Sequence, residues 1–549
     1  MYINNTLVLA FWSFLANGNP VVRDKHHGVA YHGLNRNGIE VFLNIPYGQD
    51  TGGGHRFKPP RLHVPQPNSS VDATAYGPAC PQALGPWYAP ISLTSITNIS
   101  ENCLNLNIAR PRHTHADAKL PVLVFVHGGS YWSGSNEEIT IRPDGMIVES
   151  VKNGLPVIHV AMNYRLGAFG FAQSEALRAE GSENAGLRDQ WLALEWVRDN
   201  IAHFGGDPDR VTIFGQSSGG LSMGLLMMAY GGTRPVPFRQ GRVRQNGAAV
   251  GRCLRDLPLD VLLNASLATF SSDVAHNIGD IWLPSVDGDF LPAPPSQLLR
   301  ERRFAANITA MMGWCSDDVA FFTDPAIATD DDAQRFLQAY APGMTPDAIR
   351  RLLALYPASD FAPPPGSATA ANLTAQFHRT ARVFRDIFMT CEPILYAEHL
   401  AAAGSTVYLY EWNQTILDPF LRDVSHRPGL GPIHTSEFAY IFGNLSNYNT
   451  GTWAFQPGPA DYQLKERASR SWSTFASTGR PSLAGHNTFH NFAPAPGPDS
   501  QINIFVAGGP NEGLSPIDGP GAHPAMERQR LRERCALINS PEYIEQLGF

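Results

Sequence analysis

The chain has 549 residues, 43% of them hydrophobic and 16% charged, with a formal net charge of −8. That is ample apolar material for a large core, and the low charge argues against a disordered chain. No basic block stands out, so nothing points to nucleic acid. The 44 prolines suit a compact, loop-rich enzyme. Length alone would suggest several domains of about 150 residues, but large α/β enzymes often exceed this as one unit.

Near the start, Leu7 to Ala16 form an apolar run that ends in small residues. It is shorter than the ~20 residues that span a bilayer, so no stable membrane insertion is expected. Residues 1–18 read as a signal peptide, although no Lys or Arg precedes the run; a buried N-terminal strand is the alternative. Beyond it, N-x-S/T sequons begin at Asn68, Asn98, Asn264, Asn307, Asn372, Asn413 and Asn444. So many sequons favour passage through the secretory route. The six cysteines are Cys80, Cys103, Cys253, Cys315, Cys391 and Cys535, with no C-x-x-C pair among them. That argues against a zinc ribbon or a thioredoxin-like motif, and it suits an oxidising compartment with a few long-range disulfides. His26, His27 and His32 read as an exposed N-terminal segment rather than a metal site.

Short apolar runs predict strands at Pro121–Val126, Pro156–Met162, Val211–Phe214, Ile308–Met312 and Thr406–Trp412. They do not alternate, which suits a sheet covered on both faces. Between them, Asn184–Phe204 predicts a helix, with Leu187, Trp191, Leu194, Val197, Ile201 and Phe204 at spacings of three and four. Gly205-Gly206 ends it, and Asp207-Pro208 turns the chain into the next strand. Strands alternating with helices imply an α/β fold with a large, mostly parallel sheet covered by helices. The chain after Pro325, with helices such as Asp331–Ala341, predicts helical cap elements in the C-terminal half of one domain spanning residues 19–549.

Directly after the strand Val211–Phe214 comes Gly215-Gln216-Ser217-Ser218-Gly219-Gly220, then an apolar helical run. This is G-x-S-x-G between a strand and a helix. Glycines are needed there because side chains at Gly215 and Gly219 would collide across so sharp a turn. The Ser217 hydroxyl would stand at a helix N-terminus, whose N–H groups favour developing negative charge. Upstream, His127-Gly128-Gly129-Ser130-Tyr131 follows another strand. Its glycines would let backbone N–H groups approach a substrate oxygen. A bare Gly-Gly pair is usually only a turn; paired with the downstream motif it is far more specific.

These segments carry a family resemblance. The chain resembles the type-B carboxylesterases, in the carboxylesterase/cholinesterase branch of the α/β-hydrolases, and is closest to their secreted fungal members. The matching segments include Phe42–Tyr47, His55–Pro60, Glu101–Asn107, Val126–Gly134, Asn184–Trp196, Asn200–Gly220 and Arg470–Pro481. The resemblance implies a serine hydrolase of carboxylic esters, acting on a small-molecule ester without metal or organic cofactor. It implies His434, in Gly431-Pro432-Ile433-His434, as general base to Ser217. It implies Asp318, in Gly313-Trp314-Cys315-Ser316-Asp317-Asp318, as the acid where the family's usual residue is Glu; Asp317 is the minor alternative. The backbone N–H groups of Gly129, Ser130 and Ser218 would form the oxyanion hole, Ser130 standing where a third glycine is common. The same resemblance pairs Cys80 with Cys103, and Cys391 with Cys535.

Three departures bear on the substrate. Gln216 stands where cholinesterases carry Glu, and the first cysteine loop lacks the choline-binding Trp, both of which count against choline esters. The interval from Cys80 to Cys103 is short for a lipase flap, which favours a small soluble ester over a triglyceride. Between Gln245-Asn246-Gly247 and Cys253-Leu254-Arg255 the family has a much longer insert. Cys253 is therefore expected to be unpaired, and either the acyl pocket is unusually open or a coding segment is missing. An acyltransferase or lactone-processing enzyme would use the same triad, and a non-catalytic binding protein is a third reading. Such proteins typically lose the nucleophile or the base, and both are present here.

Overall fold

The computed structural model describes residues 18–85, 89–238, 252–277, 281–361, 373–449, 455–496 and 501–548, the side chains of 252–253 and 273–277 excepted. The expected leader, Asn372, the pairing of Cys253 and the short segment before it lie outside the described residues.

A small sheet near the N-terminus pairs β1 (Val21–Arg23), β2 (Ala30–His32) and β5 (Ser70–Asp72). The main sheet has the order β3-β4-β6-β8-β7-β9. Its strands are β3 (Leu34–Arg36), β4 (Ile39–Pro46), β6 (Asn105–Pro111), β7 (Leu120–Val126), β8 (Ile158–Met162) and β9 (Gly206–Gly215). A further sheet has the order β10-β11-β12-β13, from Thr309–Cys315, Thr406–Trp412, Asn503–Ala507 and Gly513–Pro516.

The sheet departs from the expectation in two ways. The described strands do not form one continuous sheet: β9 and β10 are not paired among the described residues. Within the two larger sheets the parallel pairs are β7 with β8 and β9, and β10 and β12 with β11. The outer pairs β3–β4, β4–β6, β6–β8 and β12–β13 are antiparallel. Local chemistry explains β3–β4: Asn37 and Gly38 sit between them with φ of 48° and 84°. An Asn-Gly pair with both φ positive is the turn that matches the twist of a two-residue hairpin.

The pleat of β7 divides the interior. Val122, Val124 and Val126 face a cluster with Leu187, Leu194 and Val197 of the helix Ala185–Asn200. Leu123 and Phe125 face a second cluster with Trp412, Phe438 and Phe442. Both faces are buried, so the sequence of the strand reads as an unbroken apolar run. The predicted helix ends where expected: α-helix runs to Asn200, a 3-10 turn continues to Phe204, and Gly205 adopts φ 87°. All six residues of its predicted stripe are buried. The C-terminal half contains the helices Asp330–Tyr340, Pro346–Ala354 and Ala375–Arg385 together with β11, at the Thr406–Trp412 run read from the sequence, and β12 and β13, which were not expected.

The second cluster joins the two large sheets. Phe125 of β7 lies 4.9 Å from Phe214 of β9 and 5.3 Å from Phe442, edge-on to the latter. Two disulfides close the fold as the resemblance implied, Cys80–Cys103 and Cys391–Cys535. The second ties the helix Leu531–Ile538 to the helix Cys391–Ala402 across a sequence separation of 144. Closing so long a loop restricts the unfolded chain by about 5 kcal/mol. Replacing both Cys391 and Cys535 by Ser is therefore expected to lower unfolding free energy by a large part of that amount, read as a fall in the urea midpoint.

Candidate active site

The functional atoms gather at one end of the parallel strands. In the β7–β9 register Val126 is opposite Gly215. The residues that follow, His127-Gly128 and Gln216-Ser217, are therefore neighbours. Ser217 caps the helix Ser218–Met228 with φ 57° and ψ −131°. For a residue with a side chain this is a strained conformation. The chain can turn so tightly only because a Cβ on Gly215 would lie 2.4 Å from the Gly219 backbone, and a Cβ on Gly219 only 2.1 Å from the Val126 carbonyl oxygen.

The turn after β7 is pressed against this elbow. A Cβ on Gly128 would come within 2.6 Å of the Gln216 carbonyl oxygen and 2.9 Å of Ser217 Cβ. Gly129, Ser130 and Tyr131 follow with φ of 108°, 54° and 63°. The positive φ at Ser130 gives a physical reason for glycine being common there, since only glycine adopts it without strain. The Tyr131 N–H donates to Ser218 Oγ at 3.3 Å, linking the two turns. The backbone N–H groups of Gly129, Ser130 and Ser218 have no protein acceptor among the described residues. Buried His127 donates through Nδ1 to the Gly128 carbonyl at 2.8 Å, and burial pulls its pKa down to about 4, so it is neutral. Above the turn, Phe270 of the helix Leu259–Asn277 stacks on Trp132 at 3.6 Å.

His434 and Asp318 come from the other large sheet. Asp318 follows β10, and His434 lies in the segment after β11. The two loops are laced together: the His434 N–H donates to the Asp318 carbonyl at 2.8 Å, and the Asp317 N–H to the Pro432 carbonyl at 3.1 Å. The His434 side chain hydrogen-bonds through Nδ1 to Asp318 Oδ1. Asp318 Oδ2 accepts the Cys315 N–H at 2.8 Å. Asp317 instead turns outward, 3.7 Å from the Arg382 guanidinium. Asp318, not Asp317, thus contacts the histidine.

Around this pair burial and the Asp318 charge act in opposite directions. Burial alone would depress the His434 pKa, but the Asp318 carboxylate outweighs it and raises the value above the ordinary one. Behind Asp318 lie two groups that sequence reasoning did not single out. Buried Cys315, an unpaired thiol, donates to Glu437 Oε2 at 3.1 Å. Burial first, and the Asp318 charge second, push the Glu437 carboxyl up. Burial together with Glu437 and Asp318 keeps the Cys315 thiol protonated. The remaining unexpected contact is Gln216, whose side-chain nitrogen lies 2.9 Å from His434 Nε2. Its position next to Ser217 was the one sequence signal that could have indicated this contact.

Of the expected glycosylation sites, Asn68, Asn98, Asn264 and Asn307 are exposed. Asn413 is half-buried, and the half-buried Asn444 uses its carboxamide internally, donating to the Arg142 carbonyl and accepting the Gly145 N–H at 2.9 Å. His26, His27 and His32 are exposed, and His27 pairs with Asp24 at 2.7 Å. No described helix is long and apolar enough to cross a membrane.

A strained serine on a strand–turn–helix elbow, on this sheet, defines an α/β-hydrolase. The match to the carboxylesterase family covers residues 25–236 and 240–504. A secreted lipase of Arthroderma benhamiae is 51% identical over 99% of this chain and 98% of its own. An inactive carboxylesterase-like protein of Byssochlamys spectabilis is 34% identical over 84% of each chain. Among solved structures, a thermophilic PNB esterase aligns with a TM-score of 0.71 at 25% identity, over 93% of this chain and 100% of that one. The chain belongs to the carboxylesterase family, and with it to the carboxylic ester hydrolases.

The elbow geometry predicts an asymmetry. Gly219→Ala should destabilise the protein by about 2 kcal/mol or more, because its Cβ meets backbone that cannot yield. Gly220→Ala, whose Cβ would find nothing closer than 3.3 Å, should cost far less. Urea denaturation of both variants checks this.

Proposed function

We propose that this protein hydrolyses carboxylic esters through an acyl-enzyme on Ser217, with His434 as general base and Asp318 as its acid partner. The observation that carries the reading is the left-handed Ser217, φ 57°, at a helix N-terminus that adjoins the Gly128–Ser130 turn. The base approaches from the second sheet, already bound to a buried carboxylate.

His434 takes the Ser217 proton as Oγ attacks the ester carbonyl carbon. The carbonyl oxygen becomes negative and is met by the N–H groups of Gly129, Ser130 and Ser218; one such donor is worth about 3 kcal/mol. Asp318 holds the imidazole in the tautomer that accepts at Nε2 and stabilises it once charged. Collapse expels the alcohol with the proton from His434. Water, activated by the same histidine, then attacks the acyl-enzyme and releases the acid. The steps need no metal and no organic cofactor.

Gln216 in place of a carboxylate speaks against cationic substrates, and the short first cysteine loop favours short and medium acyl chains over triglycerides. One relative is named inactive, but the presence of Ser217 and of a bonded Asp318–His434 pair, with Gln216 next to the serine 2.9 Å from His434 Nε2, supports an active enzyme here. We read residues 19–549 as one hydrolase unit behind a leader at 1–18, and the protein as secreted. A relative named as secreted, two disulfides and four exposed sequons support this. Glycan mapping is expected to find Asn68, Asn98, Asn264 and Asn307 occupied and Asn444 bare; a protein without glycan from a secreting host would count against the reading.

Ser217→Ala should abolish turnover of a chromogenic acetate or butyrate ester. Asp318→Asn should cut kcat by about 10⁴-fold through the wrong histidine tautomer, while Asp317→Asn stays within a few-fold of wild type. Equal loss in the two Asp variants would sink the acid assignment. Only neutral His434 can take the serine proton, and its pKa is raised, so activity should fall with acidity from above the ordinary histidine value of about 6.5. A kcat/KM profile flat from about pH 5 to 8 would refute His434 as base.

A further inference from the structure

Gln216 meets the base at the nitrogen the reaction uses. The Asp318 carboxylate at Nδ1 can only accept, so Nδ1 carries the proton and Nε2 of the neutral ring is a bare lone pair. The Gln216 carboxamide nitrogen can only donate, and it lies 2.9 Å from Nε2. The contact is therefore N–H···N, aimed into the lone pair that must take the serine proton. Among the described residues Ser217 Oγ has no hydrogen bond to that nitrogen. The backbone holds Gln216 in place: its carbonyl accepts the Gly219 N–H at 2.9 Å and is packed against Gly128. Its side chain therefore starts from a fixed point beside the ring.

We propose that Gln216 is a positioning residue that keeps His434 in a resting arrangement, occupying the Nε2 lone pair until an entering ester displaces the carboxamide. The inference rests on the hydrolase reading above. Once the amide leaves, Ser217 passes its proton to Nε2, Oγ bonds to the carbonyl carbon, and the carbonyl π pair moves to oxygen. Nε2 is then a donor. The same carboxamide, turned about Cγ–Cδ, presents Oε1 and can hold the imidazolium. An amide thus serves the base before and after proton transfer. A carboxylate would hold only the charged ring, and a thioether lacks the N–H that blocks the neutral one.

The ionisable groups that act on His434 from its surroundings are Asp318, after β10, and Glu437, in its own segment. Cys315 lies behind Glu437, the Asp317–Arg382 pair faces outward, and Phe322 offers only a ring edge at 5.7 Å. None of these changes when Gln216 is replaced, so a change in the pH profile reports on the residue at 216.

The test uses the full-length protein with Gln216→Met, which keeps the side-chain length without the N–H donor, and Gln216→Glu, which keeps the shape as an acceptor. Labelling of Ser217 by a small fluorophosphonate at about pH 8 reads the attack step without product release. Release of the base should make labelling of Gln216→Met roughly five-fold faster than wild type, the loss of one neutral hydrogen bond. In Gln216→Glu the acid limb of the kcat/KM profile for p-nitrophenyl acetate should move up by about one pH, with recovery above it. Unchanged or slower labelling of Gln216→Met at an unchanged melting temperature overturns the proposal. A Gln216→Glu profile that coincides with wild type overturns it whether or not the Met variant folds. Turnover that survives Ser217→Ala overturns the hydrolase reading and this inference together, whereas Ser217-dependent turnover with unaltered Gln216 variants overturns the inference alone.

Discussion

A serine can hold a left-handed conformation between a strand and a helix only where neighbouring glycines let the chain double back on itself. Ser217, with φ 57°, carries strain of the order of 1–3 kcal/mol, and the surrounding structure exists in a form that enforces it. Gly215 and Gly219 touch across the turn, and Gly219 rests on the end of β7. The parallel register of β7 and β9 then brings the Gly128–Ser130 turn level with the hydroxyl. The elbow and the Gly128–Ser130 turn are thus one packing unit. A side chain at Gly128 would strike the Gln216 backbone just as one at Gly219 would strike Val126.

His434 reaches this unit from the other sheet, so its placement depends on how the sheets are joined. The aromatic cluster of Phe125, Phe214 and Phe442 does the joining, in the same segment that carries His434 a few residues earlier. Backbone bonds between the Asp318 and His434 loops fix where the His434 main chain sits, and the Nδ1 bond to Asp318 then orients its ring. Burial would neutralise an isolated histidine here, and the Asp318 carboxylate reverses that preference. Behind it, burial pushes the Glu437 carboxyl and the Cys315 thiol up. Asp318 is the larger influence on the ring, and Glu437 adds to it in the same direction.

The parts of this arrangement visible in the sequence are those fixed by short-range chemistry. The elbow needs its glycines within five residues, and the apolar stripe from Leu187 to Phe204 follows from helical spacing; both appear where they were read. The strand β7 was legible as an unbroken apolar run because both of its faces are buried. Features that depend on distant partners were not legible. His434 is one of 18 histidines, and only family resemblance brought it forward. Asp317 and Asp318 are adjacent and chemically identical, and their difference lies in which way the chain turns after β10. The break between β9 and β10 and the antiparallel outer strands had no local signal except Asn37-Gly38, whose turn chemistry was present but unread. Asn444 shows the same limit: its sequon is local, whereas the use of its carboxamide by Arg142 and Gly145 is a property of the fold.

The residue between Gly215 and Ser217 is where local and distant constraints meet. Its backbone belongs to the elbow, so its side chain must leave the turn close to the hydroxyl; its end reaches a histidine supplied by a segment more than two hundred residues away. The elbow motif leaves this position free because the turn places no demand on its side chain. The His434 ring does place one. Whatever stands there shares the space around Nε2 with the serine and the ester, and its hydrogen-bonding character favours one protonation state of the ring over the other. A carboxylate favours the charged imidazole and an aliphatic chain neither, while a carboxamide can turn to serve both. The variable letter of G-x-S-x-G thereby bears on the His434 imidazole without touching Asp318, Ser217 or the backbone that strains it.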